Sequence, residues 1–336
     1  MLKVRRSLVI LIVLIEIFLI IILGFYIKTK NISKKSVYIL KSNDLVFNSN
    51  SKLKYFYEPK PNTKEEVTRW VPEWAIPSAL KTDGLYYTIN SDSLNERFNY
   101  SIEKPKKTYR IITLGDSFTF GVFVNTKDNW PEKLEDKLAN SLKCKNINKY
   151  EVINLAVPGY DIEYSLERLK NRGLKYKPDL VMLFLKKDDF TQINEVFREE
   201  LNRFEKNANK EKALALLNET KIVNNNWLDI INNNTINKLG EKKMLNTQYN
   251  ILKKINNFYL GKLLIFTFPL TEVKYKTIIK KFSNERKGTF FYDGITHIYN
   301  NNNLYLPDGH PSKEGHNVIA NDLFKYIINN KIIPCN

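Results

Sequence analysis

The chain has 336 residues, of which 43% are hydrophobic and 12% aromatic. This length allows one large domain or two smaller ones, and the apolar content excludes a fully disordered chain. The formal net charge is +17, and Cys144 and Cys335 are the only cysteines. A disulfide-rich scaffold and a Cys-rich zinc module are therefore excluded. One disulfide at most can form, and the two cysteines do not identify the redox compartment.

Residues 8–27 consist almost entirely of Leu, Ile, Val and Phe. A helix of this length rises about 30 Å, the thickness of a hydrocarbon core, so we predict one transmembrane helix. Glu16 is its only charge, which indicates either a tolerated polar residue or a site for a proton or a partner helix. No small-x-small cleavage site follows, and this favours an uncleaved anchor over a signal peptide.

Basic residues flank this segment on both sides, so the positive-inside rule is nearly balanced. Because short basic N-termini usually stay inside, we predict that residues 1–7 are cytoplasmic and that the body lies outside the cytoplasm. The body is also basic, which suits an anionic glycan or lipid surface but equally a Lys/Asn-rich composition. No nucleic-acid-binding motif is present, so we expect no nucleic-acid partner. Protein partners are not indicated by the sequence.

The remainder of the chain changes character near residue 109. Residues 28–108 hold short mixed stretches broken by prolines, which predicts a stalk and a small β-rich module. Beyond them, strands alternate with helices. The predicted strands are 110–114, 151–155, 180–185, 262–268 and 290–292, and the predicted helices are 130–142, 162–174 and 312–329. This order predicts an α/β fold with a parallel sheet, helices on both faces and ligand sites at the carboxyl ends of strands.

One stretch does not fit a minimal version of this fold. Residues 194–260, approximately, are rich in Asn and Lys and predict a mostly helical insertion. An insertion after a strand end commonly forms a lid over a site. A solvated, poorly ordered segment without such a role is an equally weighted alternative.

A serine follows the first predicted strand, in the sequence Gly115-Asp116-Ser117. At a strand-to-helix turn, a serine hydroxyl can point into the crevice with a helix N-terminus behind it. Thr119 occupies the position of the last glycine in a Gly-x-Ser-x-Gly elbow, so this is not an α/β-hydrolase motif. The short motif alone is also compatible with an ordinary turn.

A catalytic serine needs a base, and the chain has three histidines. Asp308 lies two residues before His310, where a carboxylate can orient the imidazole to accept the serine proton. His316 falls one turn into the final predicted helix and is interpreted as a packing or hydrogen-bonding residue. His297 is interpreted as a surface or loop residue.

Four blocks occur in order along the chain. They are Gly115-Asp-Ser, Asn154-Leu-Ala-Val-Pro-Gly159, Pro178-Asp-Leu-Val with Asp188-Asp189, and Asp308-Gly-His-Pro. Together, over about residues 109–332, they resemble the successive blocks of the SGNH (GDSL-type) hydrolases. The resemblance implies a flavodoxin-like three-layer α/β/α fold and esterase, lipase or carbohydrate-deacetylase activity, with no metal and no cofactor. We take the hydrolase domain as residues 109–333.

The resemblance also implies a role for each matching residue. Ser117 is the nucleophile, His310 the general base and Asp308 its orienting acid. The backbone N–H groups of Ser117 and Gly159 hold the oxyanion. Lys187 stands where the family has an asparagine, and it either donates to the oxyanion or points to solvent and leaves a weaker hole. A second departure is the spacing of Asp308 and His310, which are two residues apart rather than three.

The sequence therefore predicts a single-pass, membrane-anchored serine esterase. We expect it to remove acyl groups, acetyl above all, from cell-surface glycan or lipid esters through an acyl-enzyme. Two alternatives remain: an O-acyltransferase in surface polysaccharide modification, and a non-catalytic SGNH-like glycan-binding protein.

Overall fold

The computed structural model describes residues 45–48, 50–54, 56–66, 84–191, 236–237, 239–267, 272–295, 301–307 and 309–335. The predicted membrane segment 8–27, the N-terminus 1–7, His297 and Asp308 lie outside these ranges, as do residues 194–235 and 238 of the predicted insertion. Within the described ranges, no helix is both long and apolar enough to cross a membrane.

Nine strands and seven α-helices make up the described part of the chain. The strands are β1 (Leu45–Phe47), β2 (Tyr57–Pro59), β3 (Thr63–Glu66), β4 (Tyr86–Ile89), β5 (Thr108–Leu114), β6 (Lys149–Asn154), β7 (Leu180–Leu185), β8 (Lys262–Thr267) and β9 (Thr289–Tyr292). The helices are α1 (Ser117–Phe120), α2 (Trp130–Ser141), α3 (Ile162–Arg168), α4 (Lys187–Thr191), α5 (Glu241–Lys253), α6 (Val273–Glu285) and α7 (Lys313–Asn329).

The central sheet is parallel throughout and has the strand order β6-β5-β7-β8-β9. Counted from the first strand of the sheet, this is the flavodoxin-like order 2-1-3-4-5. The order reverses at β5, between its neighbours β6 and β7. Loops that follow β5, β6 and β7 therefore meet at one edge, where ligands bind in such sheets.

Both faces of the sheet are covered by helices. In β7, Val181, Leu183 and Leu185 face a cluster formed with α3, α5 and α6. The alternate residues Met182 and Phe184 face a second cluster formed with α2 and α7. All six residues of this strand are buried because each face meets a helical layer. The α/β fold with a parallel sheet and two helical layers, predicted from the sequence, is confirmed.

Four of the described helices, α1, α2, α3 and α7, begin at a side chain that caps a free N–H group. The Asn129 side chain accepts from Glu132 N at the start of α2, and Asp161 does the same for Tyr164 N at α3. Ser312 caps α7, since its side chain accepts from Gly315 N.

Two local predictions differ from the structure. The predicted helix 162–174 is α-helical only to Arg168 and continues as a π-turn (Leu169–Gly173) and a short 3₁₀ turn (Leu174–Tyr176). Helix α6 was not predicted, although Tyr275, Ile279 and Phe282 give it a buried face. A parallel β8–β9 pair requires such a crossover.

The N-terminal region forms two antiparallel pairs, β1 with β2 and β3 with β4. It is fixed to α3 by a buried ion pair, in which Arg168 Nη1 lies 2.6 Å from Glu58 Oε1. Arg172 also bonds both oxygens of the Glu58 carboxylate. These partners together hold the pKa of Glu58 below its ordinary value, although burial alone would raise it.

Cys144 and Cys335 form a disulfide with their Cα atoms 4.8 Å apart. The bond joins the loop before β6 to the chain that follows α7. Both cysteines therefore lie near the amino ends of the strands, opposite the edge where the loops converge.

Candidate active site

Ser117 begins α1, directly after β5. The turn depends on Gly115, which has φ +148° and leaves no room for a side chain, since a Cβ would lie 2.5 Å from Thr119 Oγ1. Asp116 caps the helix: its Oδ1 accepts from Phe118 N at 2.9 Å. The Ser117 side chain is half-buried at the carboxyl edge of the sheet.

His310 meets Ser117 across this edge. Its Nε2 lies 2.9 Å from Ser117 Oγ, although 193 residues separate the two in sequence. The histidine belongs to a turn in which Leu306 N donates to His310 O at 2.8 Å and Gly309 N to Leu306 O at 2.9 Å. Helix α7 starts three residues later, so the turn is anchored on its other side as well.

Two aromatic rings hold the imidazole in place. The Phe118 ring lies 4.8 Å from the His310 ring, centroid to centroid, and Phe123 meets it edge-on at 5.9 Å. Apolar contacts on two sides restrict the ring's rotation and keep part of it from water.

The loop with Gly159 runs beside the loop with Ser117. Beyond the ends of β5 and β6, Leu155 N still donates to Thr113 O at 2.9 Å and Val157 N to Gly115 O at 3.3 Å. Ser117 and Gly159 each follow two residues after this last bond. Gly159 has φ +78°, a conformation that favours glycine. The structure thus brings the three residues Ser117, His310 and Gly159 to the same edge.

Lys187, the third predicted oxyanion residue, pairs with a surface carboxylate. Its Nζ lies 3.7 Å from Glu272 Oε1, and 56% of its side chain is exposed. Of the two orientations considered from the sequence, this is the solvent-facing one. The placement therefore does not support an oxyanion role for Lys187. Asp308, the predicted orienting acid, lies outside the described residues.

The neighbouring Lys186 was not singled out from the sequence, yet it lies inside the site. Its Nζ lies 3.2 Å from Asp116 Oδ2, bonds Asp188, and stands 5.3 Å above the Phe118 ring. Burial would lower the pKa of Lys186, but the surrounding Asp116, Asp188 and Asp189 carboxyls raise it above its usual value. Lys186 is therefore a fixed cation beside the nucleophile.

The buried side chain of Asp189 stabilises the turn that follows β7. Its Oδ2 accepts from Lys186 N at 2.6 Å. Burial, with the Asp116 charge, raises the pKa of the Asp189 carboxyl well above its ordinary value. The charged residues Asp116, Lys186 and Asp189 thus connect the loop that follows β5 with the loop that follows β7.

His316 has the hydrogen-bonding role expected of it. It is fully buried in α7, and its Nδ1 accepts from Trp130 N at 3.1 Å. Burial, and then the proximity of His310, lower the pKa of His316 to about 3. The ring is therefore neutral at physiological pH and links α2 to α7.

A serine paired with a histidine at the carboxyl edge of a parallel sheet is an arrangement that suits ester hydrolysis. The family model for GDSL-like lipases and acylhydrolases matches residues 111–323, well over half of the chain. The chain belongs to this family, and it is an ester-bond hydrolase. The family predicted from the four sequence blocks is confirmed.

Solved structures to which this chain is similar include two esterases and a lipase/acylhydrolase. A psychrotrophic esterase from a Pseudoalteromonas species is 17% identical, with 66% of this chain and 97% of that one covered and a TM-score of 0.41. A lipase/acylhydrolase from Enterococcus faecalis is 15% identical (66% and 96% covered, TM-score 0.42). A family 3 carbohydrate esterase from Clostridium thermocellum is 17% identical (68% and 100% covered, TM-score 0.39). A comparison with curated proteins gives no match.

Proposed function

We propose that the protein is a serine esterase that works through an acyl-enzyme, with Ser117 as nucleophile and His310 as general base. The observation that carries this proposal is the 2.9 Å distance between Ser117 Oγ and His310 Nε2. At this distance the imidazole can accept the hydroxyl proton while the oxygen attacks an ester carbonyl.

The reaction proceeds in two halves. Ser117 Oγ bonds to the carbonyl carbon, and His310 carries the serine proton to the leaving alcohol as the ester bond breaks. Water then attacks the acyl-serine, His310 takes its proton, and the acid is released with Ser117 restored. The N–H groups of Ser117 and Gly159 stabilise the negative oxygen in both halves, and losing one such donor costs roughly 2.7–4 kcal/mol of barrier.

We place the enzyme on the outer side of a membrane, anchored by residues 8–27. The apolar length of this segment supports the anchor. The disulfide between Cys144 and Cys335 supports an oxidising compartment, because such bonds are rare in the cytosol.

The proposed substrates are acetyl or longer acyl esters on cell-surface glycan or lipid. An anchored site stays close to both, and the net charge of +17 favours an anionic surface. We favour glycan acetyl groups.

The test uses the full chain in detergent micelles, with an aryl acetate as substrate and a fluorophosphonate as label. Ser117→Ala should abolish both turnover and labelling, because it removes the only oxygen that forms the covalent bond. Ser141→Ala, at the exposed end of α2, is the matched control and should behave as the wild type. Equal turnover by the Ser117 variant would remove Ser117 from the mechanism.

The same preparation identifies the substrate and the acceptor. Release of acetate from acetylated glycans, compared with release from short-chain and long-chain lipid esters, ranks the two substrate classes. Acyl transfer to an added sugar in preference to water would make the protein an acyltransferase. Glycan binding without labelling would support a binding protein instead.

A further inference from the structure

The N-terminal strands β2 and β4 precede the family-matched region, which begins at residue 111. Each nevertheless contributes a buried tyrosine whose hydroxyl bonds the backbone of a loop at the active site. The two tyrosines are Tyr57 and Tyr87, with 2% and 0% of their surfaces exposed.

Tyr57 reaches the loop that carries Gly159. Its hydroxyl donates to Pro158 O at 2.7 Å, one residue before the predicted oxyanion donor. The same oxygen lies 3.0 Å from where a Cβ on Gly159 would be, so it also fills the space beside that residue. Tyr160 bonds back to Tyr57 O. The Pro158–Gly159 peptide bond and the side-chain hydroxyl of Tyr160 are therefore both tied to β2.

Strand β2 cannot shift easily, so it is a firm support for this loop. The Tyr57 ring meets Tyr160 edge-on at 5.2 Å, and the next residue, Glu58, is held by the buried Arg168. Moving the strand would break this ion pair inside the protein, where an unpaired charge is strongly unfavourable.

Tyr87 acts on the other side of the site. Its hydroxyl accepts from Phe123 N at 2.8 Å, and its ring packs edge-on against Phe120 at 5.0 Å. Phe123 has φ +65°, which is unfavourable for a residue with a side chain and persists only where neighbours enforce it. Phe123 in turn contacts the ring of His310.

We propose that Tyr57 and Tyr87 are positioning residues for catalysis, and that β2 and β4 are integral parts of the esterase site. Tyr57 orients the Gly159 N–H towards the oxyanion, and Tyr87 holds Phe123 against the imidazole of His310. This inference rests on the proposed function. It means that the site is incomplete without residues that lie outside the family-matched region.

The test compares Tyr57→Phe and Tyr87→Phe in the full chain, because each change removes one hydroxyl and keeps the ring. The matched control is Tyr176→Phe, whose hydroxyl bonds Asp92 at 2.6 Å in the same interface but away from the site loops. For each variant, kcat, KM, the phosphonate labelling rate and the thermal unfolding midpoint are measured.

We expect kcat and the labelling rate to fall about tenfold in each site variant, with KM unchanged. This is less than the roughly 100-fold loss that a misplacement of about 1 Å can cause. Tyr176→Phe should leave kcat, KM and the labelling rate unchanged and should affect only the unfolding midpoint. The two losses should multiply in the double variant, because the tyrosines hold different loops.

The leaving group separates the two roles. An alkyl alcohol needs a proton from His310 as it departs, whereas nitrophenolate does not. Tyr87→Phe should therefore lose more activity on an alkyl acetate than on a nitrophenyl acetate, and Tyr57→Phe should lose the same on both.

Wild-type kcat in Tyr57→Phe and Tyr87→Phe, or an equal loss in Tyr176→Phe, would overturn the inference while leaving the proposed function intact. A wild-type protein that neither hydrolyses esters nor takes the label would overturn the proposed function and this inference with it.

Discussion

Two adjacent lysines that follow β7 differ in burial and in their ion-pair partners, and we expect them to differ in function. Lys186 is largely buried and pairs with Asp116, whose other oxygen caps the helix that begins with Ser117. Lys187 is exposed and pairs with Glu272. An exposed pair of this kind contributes little, whereas the removal of a cation from buried carboxylates leaves their repulsion uncompensated.

At this scale we predict opposite outcomes for the two lysines. Lys187→Ala should leave kcat within about twofold of the wild type, because it breaks only a surface ion pair. Lys186→Met should lower kcat and stability together, since Asp116 loses its counter-ion beside the nucleophile. Ester turnover and urea unfolding are measured on both. A large loss of kcat in Lys187→Ala would restore this residue to the oxyanion site.

The outer edge of the sheet is closed by side chains. Among the residues that the structure describes, strand β6 pairs only with β5, so its other side presents backbone N–H groups. Val152 N donates to Glu135 Oε2 at 2.7 Å, and Asn154 N bonds Glu96. These carboxyls take the place of a further strand and remove the risk of edge-to-edge association.

The two carboxyls that bond the edge of β6, Glu96 and Glu135, are buried close to each other and to Glu132. Burial, and then the charge of Glu132, raise the pKa of Glu96 well above its ordinary value. Burial, reinforced by Glu132 and opposed by the bond from Val152 N and by Tyr100 and Arg97, raises the pKa of Glu135 to about 7. The stability that these buried carboxyls contribute therefore depends on pH.

We predict that Glu135→Gln increases stability at high pH. The pKa of Glu135 is higher in the folded protein than the ordinary 4.5, so the folded state binds the proton more tightly. Its contribution to stability is full below about pH 4.5 and is lost as the pH rises through 7. Glutamine keeps an acceptor for Val152 N without the charge. Its advantage over the wild type should therefore grow by about 3 kcal/mol from pH 4.5 to 8.5.

Urea unfolding at several pH values checks this expectation. Glu314→Gln, an exposed change in the first turn of α7, is the control and should show a much smaller dependence on pH. An advantage for Glu135→Gln that does not vary with pH would contradict the raised pKa.

At the scale of the whole molecule, two long-range contacts attach the N-terminal and C-terminal parts of the described chain to the body of the fold. The N-terminal strands are fixed by Glu58 and Arg168, and the C-terminus by the disulfide between Cys144 and Cys335, which are 191 residues apart. A bond that closes so long a loop stabilises mainly by restricting the unfolded chain. The disulfide lies at the amino ends of the strands, away from Ser117.

We predict that Cys335→Ser lowers the free energy of unfolding by about 2–5 kcal/mol and leaves kcat unchanged. Cys144→Ser should give the same values, and a reductant should destabilise the wild type but neither variant. Denaturant unfolding with and without the reductant measures this. Equal stability of oxidised and reduced wild-type protein would contradict a stabilising bond.

Much of the fold followed from local sequence patterns. The buried strand 180–185 was predicted with the observed bounds, and the final helix began within one residue of the prediction. Such patterns are readable because a strand between two helical layers must be apolar on both faces, and because a capping residue such as Ser312 marks the start of a helix. Helix α6 was missed, even though the parallel topology requires a crossover there.

The candidate site was only partly accessible in this way. Ser117, Gly159, Asp308 and His310 were assigned through the order of the four blocks. Nothing in the sequence distinguished Lys186 from Lys187, because their side-chain directions are set by the loop that Asp189 closes. Tyr57 and Tyr87 carry no motif, since what they bond is backbone.

The sequence by itself therefore determined the family, the layered α/β fold and the chemical types at the site, because periodicity, capping and short motifs act within a few residues. Only the tertiary structure decided which groups meet. Ser117 and His310 are 193 residues apart, and Tyr57 lies 101 residues before Pro158. Contacts over such distances depend on how the strands order themselves in the sheet, and that order follows from burying all the apolar faces at once.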